Sequence, residues 1–451
     1  MRSLKRTLHS YIFILAALPV YAGAQTQSPM PLHLAQAIDL ALKQNRSLHL
    51  AELSVTDSQH KKEAARSAYF PQISNTSGIH HITELAGVAI PAGAFGSPAS
   101  TGPIPAKTLF LDQGAATSYT SGTQLEQPIT QMFKIRESNR AAAADVGTAK
   151  VQLTQAENEI ALEVRRLYCN LLIAQLQLQA AQEQVNAGEV KHREDLDAVA
   201  KGQALEVVAL ESHASLLEAQ HSVLTQKLAM RDATLSLNDL LGLPLGTPLE
   251  LDPDISGLAV SIPTREECLR VAREKSTSIL AAEQAVAKAK AGLGAAKDAY
   301  IPDVTGLARY SYQSGIPLLV HNFGTFGFNL SYDLFDGGHR IANIKDAQTV
   351  LEQAKVNLDK IEDEVDVQVE SAYDSVEQSA DLVKVSQEAL DVRTEAARVA
   401  DRQFEQTETL ASARATAHAN LASAKSSLVA ATLGLSVAQA NLKELMGELP
   451  R

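Results

Sequence analysis

Two periods divide this chain. Along most of it apolar residues return every three or four positions, and in a few short windows they return every second one. The first pattern is clearest between Asp336 and Asp401. There Ile344, Leu351, Leu358, Val365 and Ala372 form one line of a heptad seam, and Ala347, Ala354 and Ile361 form the other. Such a seam predicts a coiled-coil helix, and about 64 residues at ~1.5 Å each would run roughly 95 Å. An equivalent helix is expected from about Met132 to Val199. Each is followed by a turn and a second Ala-rich helix, about Leu205–Leu241 and Leu410–Met446. The second pattern is clearest from Asn322 to Phe335, where Phe326, Phe328, Leu330, Tyr332 and Leu334 alternate with Thr325, Gly327, Asn329, Ser331 and Asp333. Apolar against polar at period two suits a strand between lipid and a watery lumen, or one in a small soluble sheet. Weaker alternation at 302–313, and a poorer pattern at 72–83 and 117–129, predict four strands in all.

The joints between helix and strand have their own signals. Pro71 and Pro302 end helices and push the preceding residue towards extended backbone. Asp336-Gly337-Gly338 allows a tight reversal, with Asp336 placed to cap the helix that follows. Residues 84–117 are rich in Gly, Pro, Ala and Ser without periodicity and predict a long hairpin-tip loop, with 314–321 as its short counterpart.

These joints occur twice. Ala68-Tyr69-Phe70-Pro71-Gln72 recurs as Ala299-Tyr300-Ile301-Pro302-Asp303, a displacement of 231 residues. Further on the displacement is 205, matching Gly122 with Gly327, Tyr168 with Tyr373, and Leu240-Leu241-Gly242 with Leu445-Met446-Gly447. A register held this long indicates two equivalent halves of one architecture. The expected division is a first repeat at 25–241, a linker at 242–262, a second repeat at 263–447 and a tail at 448–451.

Composition narrows the setting. Arg2, Lys5 and Arg6, the apolar stretch Tyr11–Val20 and Ala22-Gly23-Ala24 read as an export leader over 1–24. Removing it takes three basic residues and no acidic one, moving the formal charge from −12 to −15. So acidic a chain offers no basic face to nucleic acid. Two cysteines, Cys169 and Cys268, do not make a disulfide framework. Beyond the leader no run of eighteen uncharged apolar residues appears, so any membrane passage is expected through strands. Aromatics agree: outside the leader and the strand windows only Tyr168, Tyr373 and Phe404 remain. Four strands cannot close a barrel, and open edges are prohibitive in lipid. The expected fold is therefore mainly α with a membrane β part, three copies giving a twelve-stranded barrel and a twelve-helix tube.

With its doubled Tyr-x-Pro switch, the Leu334-Phe335-Asp336-Gly337-Gly338-x-Arg340 strand exit and the Leu240-Leu241-Gly242-Leu243-Pro244 helix end, the chain resembles the TolC-like outer-membrane efflux proteins from about Leu32 to Gly447. The resemblance implies a homotrimer in outer-membrane lipid, a helical tube across the periplasm, and tips that meet an adaptor protein served by an inner-membrane pump. It implies an exit duct for efflux, with a type I secretion outlet for polypeptides as the alternative within the class. A non-conducting helical scaffold or adaptor is the alternative outside it. The first half departs from the pattern by reading Gln127-Pro128-Ile129-Thr130 in place of Asp-Gly-Gly, and Thr407 stands where the first tip has Gly202.

No catalytic constellation, cofactor motif or metal set emerges, and no enzyme is expected. His80-His81 is a lone pair in a strand, and His192, His213 and His221 lie on helices. The charges gather at the two helix turns. The resemblance puts a gate carboxylate near Asp401, for which Arg402 and Arg193 are the candidate partners. A ring of three such carboxylates would attract cations. Leu196, Val199, Gly202, Phe404, Thr407 and Leu410 are the candidate adaptor contacts at the tips.

Overall fold

The computed structural model describes residues 30–84, 87–112, 115–252, 261–315 and 320–448. The expected leader, residues 253–260 of the linker and residues 449–451 of the tail lie outside them. The first half runs β1 (Met30–Leu32), α1 (Leu34–Gln44), α2 (Arg46–Ser67), β2 (Gln72–His81), β3 (Gly87–Ile90), β4 (Leu109–Asp112), β5 (Thr117–Pro128), α3 (Met132–Ala200) and α4 (Glu206–Leu240). The second runs β6 (Leu249–Leu251), α5 (Arg265–Lys275), α6 (Thr277–Asp298), β7 (Asp303–Ser314), β8 (Asn322–Ser331), α7 (His339–Glu405) and α8 (Ala411–Leu445).

The long helices α3 and α7 have 69 and 67 residues, each roughly 100 Å at ~1.5 Å per residue. Along α7 the heptad seam is the less exposed side. Ile344, Ala347, Leu351, Ala354, Leu358 and Ile361 are half-buried, and Val365 and Ala372 are buried. The helices lie side by side in the order α2/α4, α3, α6/α8, α7, with α2 above α4 and α6 above α8. By length and composition alone α8 is apolar enough for a membrane span. That stretch is Ala-rich and packs against α3 and α7, as a bundle helix does.

The shorter helices break at residues 231 positions apart. Asn45 caps α2 by accepting from the Ser47 and Leu48 backbone N–H groups at 2.8 and 3.3 Å, while its Nδ2 donates to the Leu240 carbonyl at 3.1 Å. Its equivalent, Ser276, has extended backbone between α5 and α6. The larger core gathers around Tyr168, Val164, Leu171 and Leu237. Tyr168 Oη donates to the Leu32 carbonyl at 3.0 Å and accepts from the Asp252 N–H at 3.1 Å, fastening the β1 and β6 segments to α3. A second core surrounds Val369, Leu442 and Met446. There Arg265 lies over the Tyr373 ring at 4.6 Å and pairs with Glu370, Asp374 and Glu377, so its guanidinium is held more firmly protonated than usual, first by Asp374.

The four expected strands form one antiparallel sheet in the order β2-β5-β7-β8. Four further short strands were not foreseen. β1 and β6 pair in parallel, and β3 and β4 make an antiparallel ribbon inside the stretch expected to be an irregular loop. Val88–Ile90 and Leu109–Leu111 are apolar runs too short to display a period, and eighteen residues separate the two strands.

Candidate functional site

The sheet has two chemically different faces. Directly paired residues of an antiparallel sheet share a face, so the register Ile73↔Leu125↔Ala308↔Phe326 identifies one of them. On it stand Val304, Tyr310, Tyr312, Phe328 and Leu330, and it carries no Asp, Glu, Lys or Arg. Phe326 is 90 % exposed in the single chain. Glu126, Asp303 and Arg309 all project to the other face, among Ser, Thr, Gln and Gly. Apolar-out and charged-in is the order of a barrel wall, because an unpaired charge facing hydrocarbon costs about 2–4 kcal/mol at mid-depth. In the first half the outer face is partly polar, and its side chains satisfy one another. Asn75 Nδ2 donates to Thr123 Oγ1 at 2.9 Å and to Ser121 Oγ at 3.3 Å, and Ser77 Oγ donates to Asn75 Oδ1 at 2.8 Å.

The sheet is open. β2 and β8 each have one neighbour, and the helical layer ends at the same two sides, with α2/α4 beside β2 and α7 beside β8. Both sides carry unpartnered apolar rows in the single chain: Leu210, Leu217 and Leu224 at seven-residue spacing on α4, and Leu382, Val385 and Val392 on α7.

Two different devices join helix and strand below the sheet. Pro71 and Pro302 stand immediately before β2 and β7. After β8, Gly337 and Gly338 take positive φ of 65° and 90°. Asp336 Oδ1 accepts from the Gly338 N–H at 3.0 Å, and Oδ2 accepts from the Arg340 backbone N–H at 2.9 Å and its Nε at 2.8 Å. The Arg340 bond above all holds the Asp336 carboxyl down to about 2. Arg340 in turn lies over Tyr332 at 4.6 Å and Tyr300 at 5.5 Å. At the first-half joint, where Asp-Gly-Gly is missing, Thr130 Oγ1 donates to the Pro302 carbonyl at 2.6 Å and accepts from the Val304 N–H at 2.7 Å. Lys134 pairs with Asp303 at 2.8 Å beside it. One half thus borrows its closure from the other.

At the far ends the two turns have one backbone shape. Lys201 and Gly202 have φ of −86° and 70°, and Gln406 and Thr407 have −85° and 60°. The six-to-one bond of a Schellman turn is present in both, Gln203 N–H to Ala198 O and Glu408 N–H to Gln403 O, each 2.8 Å. Asp401 is bound within its own hairpin. Its Oδ1 accepts from Arg414 Nε at 2.7 Å and from His418 Nε2 at 2.9 Å, and these partners, His418 first, hold its carboxyl below the usual range. This corrects the expected partners Arg402 and Arg193. Arg402 is adjacent on the helix and projects to a different side, whereas α8 returns Arg414 and His418 alongside Asp401. Arg414 also covers Phe404 at 5.1 Å.

The other tip residues are partly open: Leu196 is exposed, Val199 half-buried and Leu410 66 % exposed. Leu205, the equivalent of Leu410 at displacement 205, is 75 % exposed and belongs with them; the repeat carried that signal. Glu194 was also missed. Its Oε1 accepts from the Ser412 N–H at 3.1 Å, so α3 caps the first turn of α8, whose own N-cap position is Leu410 and has no capping side chain. His192 and His213 stack at 5.0 Å, and among the described residues no group of three metal-ligating side chains converges.

The family described as "Outer membrane efflux protein" matches residues 37–243 and 268–448. Among solved structures, that of CusC is 16 % identical with a TM-score of 0.73 and 92 % of each chain covered. The open-state MtrE channel of Neisseria gonorrhoeae is 19 % identical, TM-score 0.73, covering 93 % of this chain and 89 % of that one. The CmeC channel of Campylobacter jejuni is 15 % identical, TM-score 0.73, with 92 % and 85 % covered. No match was found among curated protein sequences.

Proposed function

Since the chain belongs to the outer membrane efflux protein family, we propose that three copies of it close into one duct, through which substrates handed over by an inner-membrane pump and a periplasmic adaptor leave the cell passively. The protein is an outer-membrane efflux channel with a helical periplasmic portion, and it is not an enzyme. The observation that carries the trimer is the open sheet, whose two unpaired edges lie on the same two sides as the unpartnered apolar rows of α4 and α7. Edges in lipid leave backbone groups without partners, each costing several kcal/mol. Joining β8 of one copy to β2 of the next pairs both edges and covers both helical rows in one contact, and three such contacts close a ring. The structures of CmeC and MtrE are described as outer-membrane channels and that of CusC as forming a transmembrane channel, which supports the same reading.

The two helix turns then point into the periplasm as the adaptor end. Leu205 and Leu410, with Leu196, Val199 and Phe404 behind them, supply apolar contacts on turns shaped by Gly202 and Thr407. Asp401 serves the gate as a carboxylate held by Arg414 and His418, which lessens the bare negative charge a ring of three would present.

The deciding experiment is the molar mass of protein extracted from outer membranes, by light scattering with detergent subtracted, followed by conductance in planar bilayers. A conducting trimer is expected. A stable, folded monomer would sink the proposal, because four strands do not close.

A further inference from the structure

We propose that Arg309 is the charge-selecting residue of the barrel, forming in the trimer a ring of three guanidinium groups that favours anions, including carboxylate- and phosphate-bearing solutes, in the outer part of the duct. The inference rests on the trimeric barrel proposed above.

Arg309 is near the middle of β7, directly paired with Gln124 on one side and Thr325 on the other, so it stands on the charged inner face. Its guanidinium lies on the sheet over Gly122. A Cβ built on Gly122 would come within 2.7 Å of Nη2 and 2.9 Å of Nε, closer than real contacts allow. The equivalent glycine of the second repeat, Gly327, has nothing within 4 Å of the same position. The duplicated glycine therefore serves as a seat for the arginine in one half only.

Among the described residues Arg309 has no ion-pair partner, whereas Arg140, Arg265, Arg270, Arg273, Arg340 and Arg414 do. Asp303 on the same face is engaged by Lys134, and Glu126 keeps its charge, accepting only a hydrogen bond from the neutral Gln124 amide. The inner-face neighbours of Arg309 by register are Gln124, Thr325, Leu307 and Ser311, with Gly122 and Glu126 on the two diagonals of β5, and the guanidinium extends over Gly122, away from the Glu126 carboxylate. A fixed cation on a low-dielectric wall draws anions into the lumen and repels cations. The screening length is about 20 Å near 20 mM salt, comparable with a lumen of this strand number, and ~3 Å at 1 M. The effect should thus be strong in dilute salt and vanish in concentrated salt.

The test is the reversal potential of the reconstituted full chain across a tenfold KCl gradient at low salt. Arg309→Ser is expected to move the permeability ratio towards K⁺ by about twofold and Arg309→Glu further, with both shifts lost at 1 M. Arg309→Lys, which keeps the charge, should stay near the parent value. Conducting Arg309→Glu trimers with the parent reversal potential would overturn the inference and leave the trimer standing. Absence of a conducting trimer from the parent protein would overturn the barrel reading and this inference with it.

Discussion

Thr407→Gly should tighten the second tip. Thr407 has φ of 60°, where a β-branched residue crowds its own carbonyl, while Gly202 meets the same geometry at 70° without a Cβ. The left-handed conformation costs an L-residue about 1–2 kcal/mol, and glycine returns about 0.5–1 kcal/mol through its greater freedom when the turn opens. The net gain is then ~1 kcal/mol per hairpin, or about a fivefold drop in local opening. Both turns have the same hydrogen bonds, Thr407 N–H to Phe404 O at 3.0 Å matching Gly202 N–H to Val199 O at 2.9 Å, so no bond is exchanged in the comparison. Hydrogen exchange of purified trimers, read by mass spectrometry on peptides spanning 403–412, gives the quantity directly. Gly202→Thr is the mirror experiment, with exchange over 198–207 expected to quicken by about the same factor. If Thr407→Gly exchanges as fast as the parent or faster, the strain assigned to the second tip is not there.

Other expectations follow from single contacts. Thr130→Val keeps the shape but strands the Val304 N–H and the Pro302 carbonyl; a loss of about 1–3 kcal/mol should show as a lower melting temperature of the trimer. Tyr168→Phe removes the bonds to Leu32 and Asp252, and a urea midpoint lowered by an equivalent of about 1–2 kcal/mol is expected. Glu194→Ala uncaps α8 from the neighbouring hairpin; exchange at 411–414 should quicken by an amount near 1 kcal/mol, and unchanged exchange would dismiss the cap. Asp336, with its carboxyl held at about 2 against an ordinary 3.8, contributes stability above the ordinary value that is lost as pH falls from about 4 to 2. Proteolysis near 339–343 should rise only in that window, whereas Asp336→Asn should be loosened at neutral pH too.

Much of this architecture is legible because it rests on repetition. Heptad spacing from Ile344 to Ala372 identified the buried side of α7, and the paired prolines stand immediately ahead of β2 and β7. Period two gave β8 clearly because Phe326, Phe328 and Leu330 face outward in a row. It was weaker on β2 and β5 because Asn75, Ser77, Ser121 and Thr123 satisfy one another on the outer face, which blurs the alternation. The ribbon β3–β4 escaped because four-residue strands carry too little pattern. The partners of Asp401 were misjudged for a different reason. Sequence distance favoured Arg402, but an antiparallel hairpin brings residues 13 and 17 positions away to the same carboxylate. Glu194 and Ser412, 218 residues apart, had no local signal at all.

Duplication explains why the two halves share a scaffold, and the places where they differ explain how one chain becomes a directional duct. A perfectly repeated chain would have two identical joints, two identical tips and a uniform lumen. Here the second joint closes itself through Asp336 and Arg340, while the first leans on Pro302 and Val304 of the other half. At the tips Asp401 has no carboxylate counterpart, its equivalent being Leu196, so only the second hairpin carries the Arg414–His418 lock. In the sheet only Gly122 seats an arginine. These differences fall at the joints, at one tip and on the inner face of the sheet, and none falls in the heptad seam of α7. Selection on transport can therefore alter joints, tip and lumen charge while the repeated helices keep the wall at constant thickness. On this reasoning, exchanging Leu196 with Asp401 should leave the trimer intact and move the tip carboxylate from the second hairpin to the first, a change that cation block of the conductance would register if the proposed gate lies there.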